Sequence, residues 1–97
     1  MRCEWDEDKR TENLRTHGLD LADAAAVLQY LRLTALDTRE DYGEDRWCSI
    51  GMLQGRVVVL VYTEPAPDLI RVISLRKATR HERTQYEHDL QNRLGPG

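Results

Sequence analysis

Six consecutive residues, Val57-Val58-Val59-Leu60-Val61-Tyr62, constrain this chain more than any other stretch. All are apolar and β-prone, so the segment reads as a strand buried on both faces; a strand with one wet face would alternate. Such a strand needs cover on both sides and partners on both edges. Gln54-Gly55 just before it is a tight-turn signal, and residues 46–53 alternate loosely ahead of that turn. After it, Glu64-Pro65-Ala66-Pro67-Asp68 reads as a turn, because proline fixes φ and cannot donate to a ladder; residues 69–75 then return as the next strand. The three strands read as an antiparallel meander, with a short fourth strand at 33–37 and a loop through Tyr42-Gly43. A chain of 97 residues can bury one core and not two, so residues 1–97 are expected to form a single domain.

The remaining segments have helical signals. Asp6 is a good N-cap, Glu7 and Asp8 suit the positive end of a helix dipole, and His17-Gly18 suits the other end, which predicts a helix over 7–17. Leu14 is its one strongly apolar residue, while Lys9, Asn13 and His17 stack along one face. Two readings are open: an exposed helix pinned by Trp5 and Leu14, or a polar face turned to a ligand. A second helix, capped by Asp20, carries the apolar stripe Leu21, Ala24, Ala25, Leu28 and Leu31, which is expected to be core. Thr79-Arg80-His81-Glu82 matches the capping box and predicts a third helix from about 80 towards 93, with Tyr86, Leu90 and Leu94 as its stripe and Gly95-Pro96-Gly97 at its end.

No apolar run approaches the roughly 18 residues of a spanning helix. The first residues lack the apolar core of a signal peptide, so a cytoplasmic protein without membrane contact is expected, with Cys3 and Cys48 as reduced thiols. Histidines 17, 81 and 88 and the two cysteines give no metal-ligand spacing. There is no phosphate-binding glycine loop and no serine or cysteine in a nucleophile motif, so neither a metal nor another cofactor is expected.

The net charge of -3 conceals a segregation. Between Asp37 and Asp45 five acids face one base, Arg39; between Arg71 and Arg83 five bases face one acid, Glu82. Cations at a helix N-terminus are unfavourable by roughly 0.3–1 kcal/mol each at exposed sites. Free amides and arginine forks both suit phosphate, so Arg76, Lys77, Arg80 and Arg83 around the third helix's start suggest an anion site. The competing reading pairs them with the chain's own acidic loop. On an ideal strand Arg71 and Arg76 point to opposite faces, and reach one site only if the strand twists, bulges or ends near Leu75. Cleavage of an RNA phosphodiester would need a base for the 2′-OH, cations for the phosphorane and a proton for the leaving oxygen. Arginine suits only the second task, which leaves Glu82, His81 and Tyr86 as proton carriers, Glu82 being engaged if it closes the capping box. His17 joins the site only if the first helix packs beside the last strand. No helix-turn-helix pattern supports direct DNA binding.

These residues also carry a resemblance. Trp5-Asp6, Lys9, Asn13 and His17-Gly18, then Arg46-Trp47 and Ile50-Gly51, and above all Ile73-Ser74-Leu75-Arg76-Lys77-Ala78-Thr79 leading into Glu82-Arg83 and Tyr86-Glu87, resemble the BrnT family of toxins over about residues 4–87. The resemblance implies a RelE-like α+β fold, with two N-terminal helices packed on a four-stranded antiparallel sheet and a C-terminal helix. It implies a metal-independent RNA endonuclease that inhibits translation and growth. It further implies a BrnA-type antitoxin partner through which alone operator DNA is reached. Carried onto this chain, the catalytic candidates are Arg71, Arg76, Glu82 and Arg83, and the RNA-binding candidates are Lys9, His17, Lys77, Arg80, His81 and Tyr86. The alternative is a non-catalytic module whose basic face docks an acidic partner.

Overall fold

A computed structural model of the chain describes residues 1–30 and 32–94. The elements are β1 (Arg2–Glu4), α1 (Glu7–His17), a 3-10 turn (Leu21–Asp23), α2 (Ala24–Leu28), β2 (Leu33–Leu36), β3 (Trp47–Leu53), β4 (Arg56–Ala66), β5 (Leu69–Lys77) and α3 (Arg80–Leu94). Among the described residues the strands form one five-stranded sheet in the order β1-β5-β4-β3-β2. The apolar run lies in β4, at the centre, paired antiparallel to β3 and β5. The β3–β4 turn is made by Gln54 and Gly55, both at positive φ, which suits the right-handed twist of the flanking strands.

The expected four-stranded antiparallel sheet is thus corrected to a mixed, five-stranded one. The added strand, β1, is three residues long, too short to show a period, and pairs parallel to β5 with Cys3 beside Ile70. The turn expected at 64–68 is confined to Pro67-Asp68, with β4 running on through Pro65. The proline is tolerated because pairing to β3 has already ended at Tyr62, and the β4–β5 register is irregular between Thr63 and Ala66. The second helix is a 3-10 turn followed by the five-residue α2. Asp20 caps the turn through Ala22, and of the expected stripe Leu21, Ala24 and Leu28 are buried and Ala25 is half-buried. Leu31, the side chain of Leu94 and residues 95–97 lie outside the described residues.

One face of the sheet, with Val58, Leu60, Tyr62, Ile70, Val72 and Leu75, packs against Leu21, Ala24, Val27 and Leu28 to form the core. Gly51 permits the close approach of α2, since a Cβ there would stand 3.1 Å from Val27 Cγ1. The other face carries Val59 and Val61, both buried, and α3 lies against it through Tyr86. Its strand faces are set by a bulge: Val61 pairs with Ser74 and Tyr62 with Val72, leaving Ile73 unpaired. The extra residue reverses the alternation, so Arg71, Ser74 and Arg76 share the face opposite the core.

α1 closes the edge of β5 beyond the end of β1. Asp6 caps it through the amides of Asp8 and Lys9, and Gly18 ends it at φ 70° with its N–H bonded to the Leu14 carbonyl. Its anchor differs from the expected pair. Leu14 is 49% exposed, while Asn13 is buried and donates to the carbonyls of Leu19 and Leu75, both at 2.8 Å, and accepts from the Leu75 amide at 3.2 Å. Trp5 does pack against the core.

Candidate anion-binding cleft

The strand-to-helix passage from β5 to α3 builds the site. Thr79 Oγ1 accepts from the Glu82 amide at 3.2 Å, and Glu82 Oε1 accepts from the Thr79 amide at 2.8 Å, the reciprocal bonds that the sequence predicts. The same carboxylate receives both ends of the Arg76 guanidinium, Nη1 at 2.7 Å and Nη2 at 2.8 Å, while Nη1 also reaches the Lys77 carbonyl at 3.3 Å. Arg76 first, then the Thr79 amide, holds the Glu82 carboxyl down at about 2 against the opposing effect of burial. Glu82 is therefore a carboxylate at neutral pH and a weak base while Arg76 holds it.

The Arg76–Glu82 pair borders a cleft of about 330 Å³ on the sheet face opposite the core, floored by Cys48, Val59, Val61 and Ser74. Its far wall is the segment after β2, with Asp37 and Arg39. The Asp37 side chain is only 4% exposed; it accepts from Arg39 Nε at 2.9 Å and Nη2 at 2.8 Å, and from the Tyr42 hydroxyl at 3.3 Å. These bonds, the Arg39 pair foremost, hold its carboxyl at about 2. Burial pushes the Cys48 thiol up, so it is neutral, and it is not joined to Cys3.

A second cleft of about 370 Å³ lies on the other side of the start of α3. It gathers Arg56, Lys77 and Arg83 with Met52, Val57 and Tyr86, against one acid, Glu87. Strand pairing brings Arg56 there, since Arg56 opens β4 and Val58, two residues on, lies opposite Lys77.

The predicted site residues are thus distributed. Arg76 and Glu82 meet in the first cleft; Lys77, Arg83 and Tyr86 meet in the second; Arg80 and His81 are exposed in the first turn of α3. Arg71 shares the face of Arg76 but lies at the sheet's far end, where its Nε donates to Glu4 at 2.8 Å. Lys9 and His17 flank a shallow groove over Ile73, so α1 does pack beside β5. The acidic loop turns inward on its own bases: Asp37 holds Arg39, and the Arg46 guanidinium stacks 4.0 Å from the Tyr42 ring centre. Arg56 and Arg39 carried no signal in the sequence reading, one being isolated after a turn and the other sitting in an acidic run.

The sequence matches the family described as the ribonuclease toxin, BrnT, of type II toxin-antitoxin systems over residues 5–82. The fold is similar to that of the Brucella abortus ribonuclease toxin BrnT, known from a crystal structure at 1.1 Å resolution, with 29% sequence identity, a TM-score of 0.63, and coverage of 82% of this chain and 99% of that one. No curated protein matches the sequence.

Proposed function

From the premise that this chain belongs to the BrnT family of ribonuclease toxins of type II toxin-antitoxin systems, we propose that it cleaves RNA without a metal ion, at the cleft where Arg76 meets Glu82. The observation that carries this reading is the bidentate Arg76–Glu82 pair set into a concave sheet face, with a second cationic cleft beside it. Arg76 faces the scissile phosphate and offsets charge as the phosphorane forms. Arg83 and Lys77, joined by Arg56, hold the neighbouring phosphates, and the buried Tyr86 seats α3 beside them. Arg71, along the same face, and Lys9, His17 and Arg80 extend the basic track.

The 2′-oxygen attacks phosphorus and the 5′-oxygen leaves, giving a 2′,3′-cyclic phosphate and a 5′-hydroxyl. Glu82 aims the Arg76 fork in the resting cleft. Proton transfer falls to His81, or to Glu82 once phosphate has displaced it from Arg76; released from its cation, the carboxylate regains basicity. The protein acts in the cytoplasm, arrests translation and growth, and is neutralised by a BrnA-type antitoxin, through which operator DNA is reached.

Induction of the chain alone, beside Arg76→Ala and Arg83→Ala, tests the reading. Growth arrest with RNA fragmentation is expected from the parent chain and neither from the variants, while all three proteins stay folded. The fragments should end in 2′,3′-cyclic phosphate, and EDTA should leave cleavage intact. Full toxicity in both variants would overturn the assignment. A second reading rests on the charge balance of the first cleft, where two arginines face two carboxylates: a folded chain that cleaves nothing, and binds an acidic partner less tightly as salt rises, would be a docking module.

A further inference from the structure

Arg39 lies outside every basic cluster in the sequence, yet it shares the cleft with Arg76. Arg76 stands on the sheet side of that cleft and Arg39 on the wall formed by the segment after β2. Each is held by a carboxylate of its own, and each is held by a different edge. Glu82 takes the Nη1/Nη2 end of Arg76, which leaves its Nε/Nη2 edge outside that pair. Asp37 takes the Nε/Nη2 edge of Arg39, which leaves its Nη1/Nη2 end outside that pair. A guanidinium has five N–H groups, so a fork bound through one edge still offers a second two-donor edge of the kind that fits phosphate. Asp37 is anchored, its side chain buried and further bonded to the Tyr42 hydroxyl, whereas the Arg39 side chain is 74% exposed. A fixed carboxylate thus holds an exposed arm at the cleft wall.

We infer that Arg39 is a second phosphate-binding arm of the cleft, acting with Arg76 on the RNA backbone, and that Asp37 is the positioning residue that presents it. This rests on the reading of the cleft as an RNA site. One carboxylate of the acidic loop, Asp37, then has a defined role: it fixes one cation in place. An RNA strand crossing the cleft would meet a guanidinium on each wall, Arg76 from the sheet and Arg39 from the loop.

The test uses the full chain and an RNA oligonucleotide whose 2′-hydroxyls are methylated, which removes the nucleophile and so prevents cleavage while the phosphates stay in place. The paired change Asp37→Asn with Arg39→Gln swaps the ion pair for neutral hydrogen-bonding amides and leaves the net charge unaltered. A matched control, Glu12→Gln with Arg15→Gln, removes the exposed ion pair of α1. The Asp37/Arg39 change should weaken binding about tenfold, in line with the loss of a charge-assisted phosphate contact, and the control should not. It should also flatten the slope of log affinity against log salt by about 0.7, the value for one phosphate contact on a single strand. Arg39→Lys, which keeps the charge and loses the planar fork, should weaken binding by about threefold or more and gives the answer if the paired variant does not fold. Parent-like binding by these variants, with binding lost in Arg76→Ala, would reduce Arg39 to a loop staple and leave the RNA reading standing. Unchanged binding in Arg76→Ala as well would remove the RNA reading, and the inference with it.

Discussion

Asn13 holds three backbone groups at once, two on one strand residue and one in the turn that follows its own helix. Where β1 stops pairing at Arg71, the edge of β5 would otherwise present the Leu75 amide and carbonyl with no strand beside them. The side-chain amide supplies both a donor and an acceptor, the combination a neighbouring strand would provide. Asn13→Ala leaves the Leu75 amide buried and unpaired, and should lower stability by about 1–3 kcal/mol in urea denaturation. Asn13→Asp should do worse, because it loses the donor and sets a negative charge against two carbonyl oxygens. A loss below about 0.5 kcal/mol in Asn13→Ala would mean that the edge finds other partners, as surface positions do. In the sequence, Asn13 was one of three polar residues stacked on a helix face, and nothing in that spacing separates a sheet-edge plug from a ligand contact. Glu82 shows the reverse case: its engagement in the capping box follows from Thr79 and Glu82 three residues apart, but its second task, gripping Arg76, depends on where β5 ends.

Among the elements, α3 depends most on a single local device. Of its described side chains only Tyr86 is buried, so the first turn is held largely by the Thr79–Glu82 bonds and by the backbone bond from the Arg83 amide to the Thr79 carbonyl. Thr79→Ala removes one reciprocal bond and should cost about 1 kcal/mol. Hydrogen exchange should accelerate in the first turn of α3 while the amides of β4 keep their protection; uniform acceleration would show that helix and sheet open together. The β3–β4 turn, the central strand and the three caps, Asp6, Asp20 and Thr79, are legible in the sequence because each rests on residues a few positions apart. The β5 bulge is not, since a single unpaired residue, Ile73, leaves no mark in composition and appears only when β5 is laid against β4. That one residue decides whether Arg71 and Arg76 share a face. β1 was hidden for a related reason: three residues pairing with a partner 67 positions away carry no period of their own. Pro65 lies inside β4 because a proline does not by itself end a strand; it requires only that one edge have no ladder partner.

Over the whole molecule the excess of acids over bases matters less than how carboxylates are tied to arginines, twice across different elements and once within a loop. Asp20 is held by Arg10 of α1, Asp37 by Arg39 of the loop, and Glu82 by Arg76 of β5. In each the arginine is the leading cause that sets the carboxyl at about 2, below the ordinary values of 3.8 for aspartate and 4.5 for glutamate. Depressed carboxyls stabilise the folded state above the unfolded-state values, and that stabilisation is lost as pH falls towards the folded ones. Between about pH 4.5 and 2 the unfolded chain binds more protons than the folded one, so unfolding free energy must fall with pH in this window. Because these pairs are partly exposed, salt screens them and each contribution is modest. Thermal unfolding followed by circular dichroism should therefore give a midpoint nearly constant from pH 7 to about 5 and dropping steeply below. Glu82→Gln should start lower, having lost the Arg76 charge pair, and drop less steeply, since one of the groups that takes up a proton on unfolding is gone. A parent curve that stays flat down to pH 2.5, or a variant curve that remains parallel to it, would show that Glu82 keeps an ordinary carboxyl and that its grip on Arg76 is too weak to order the cleft.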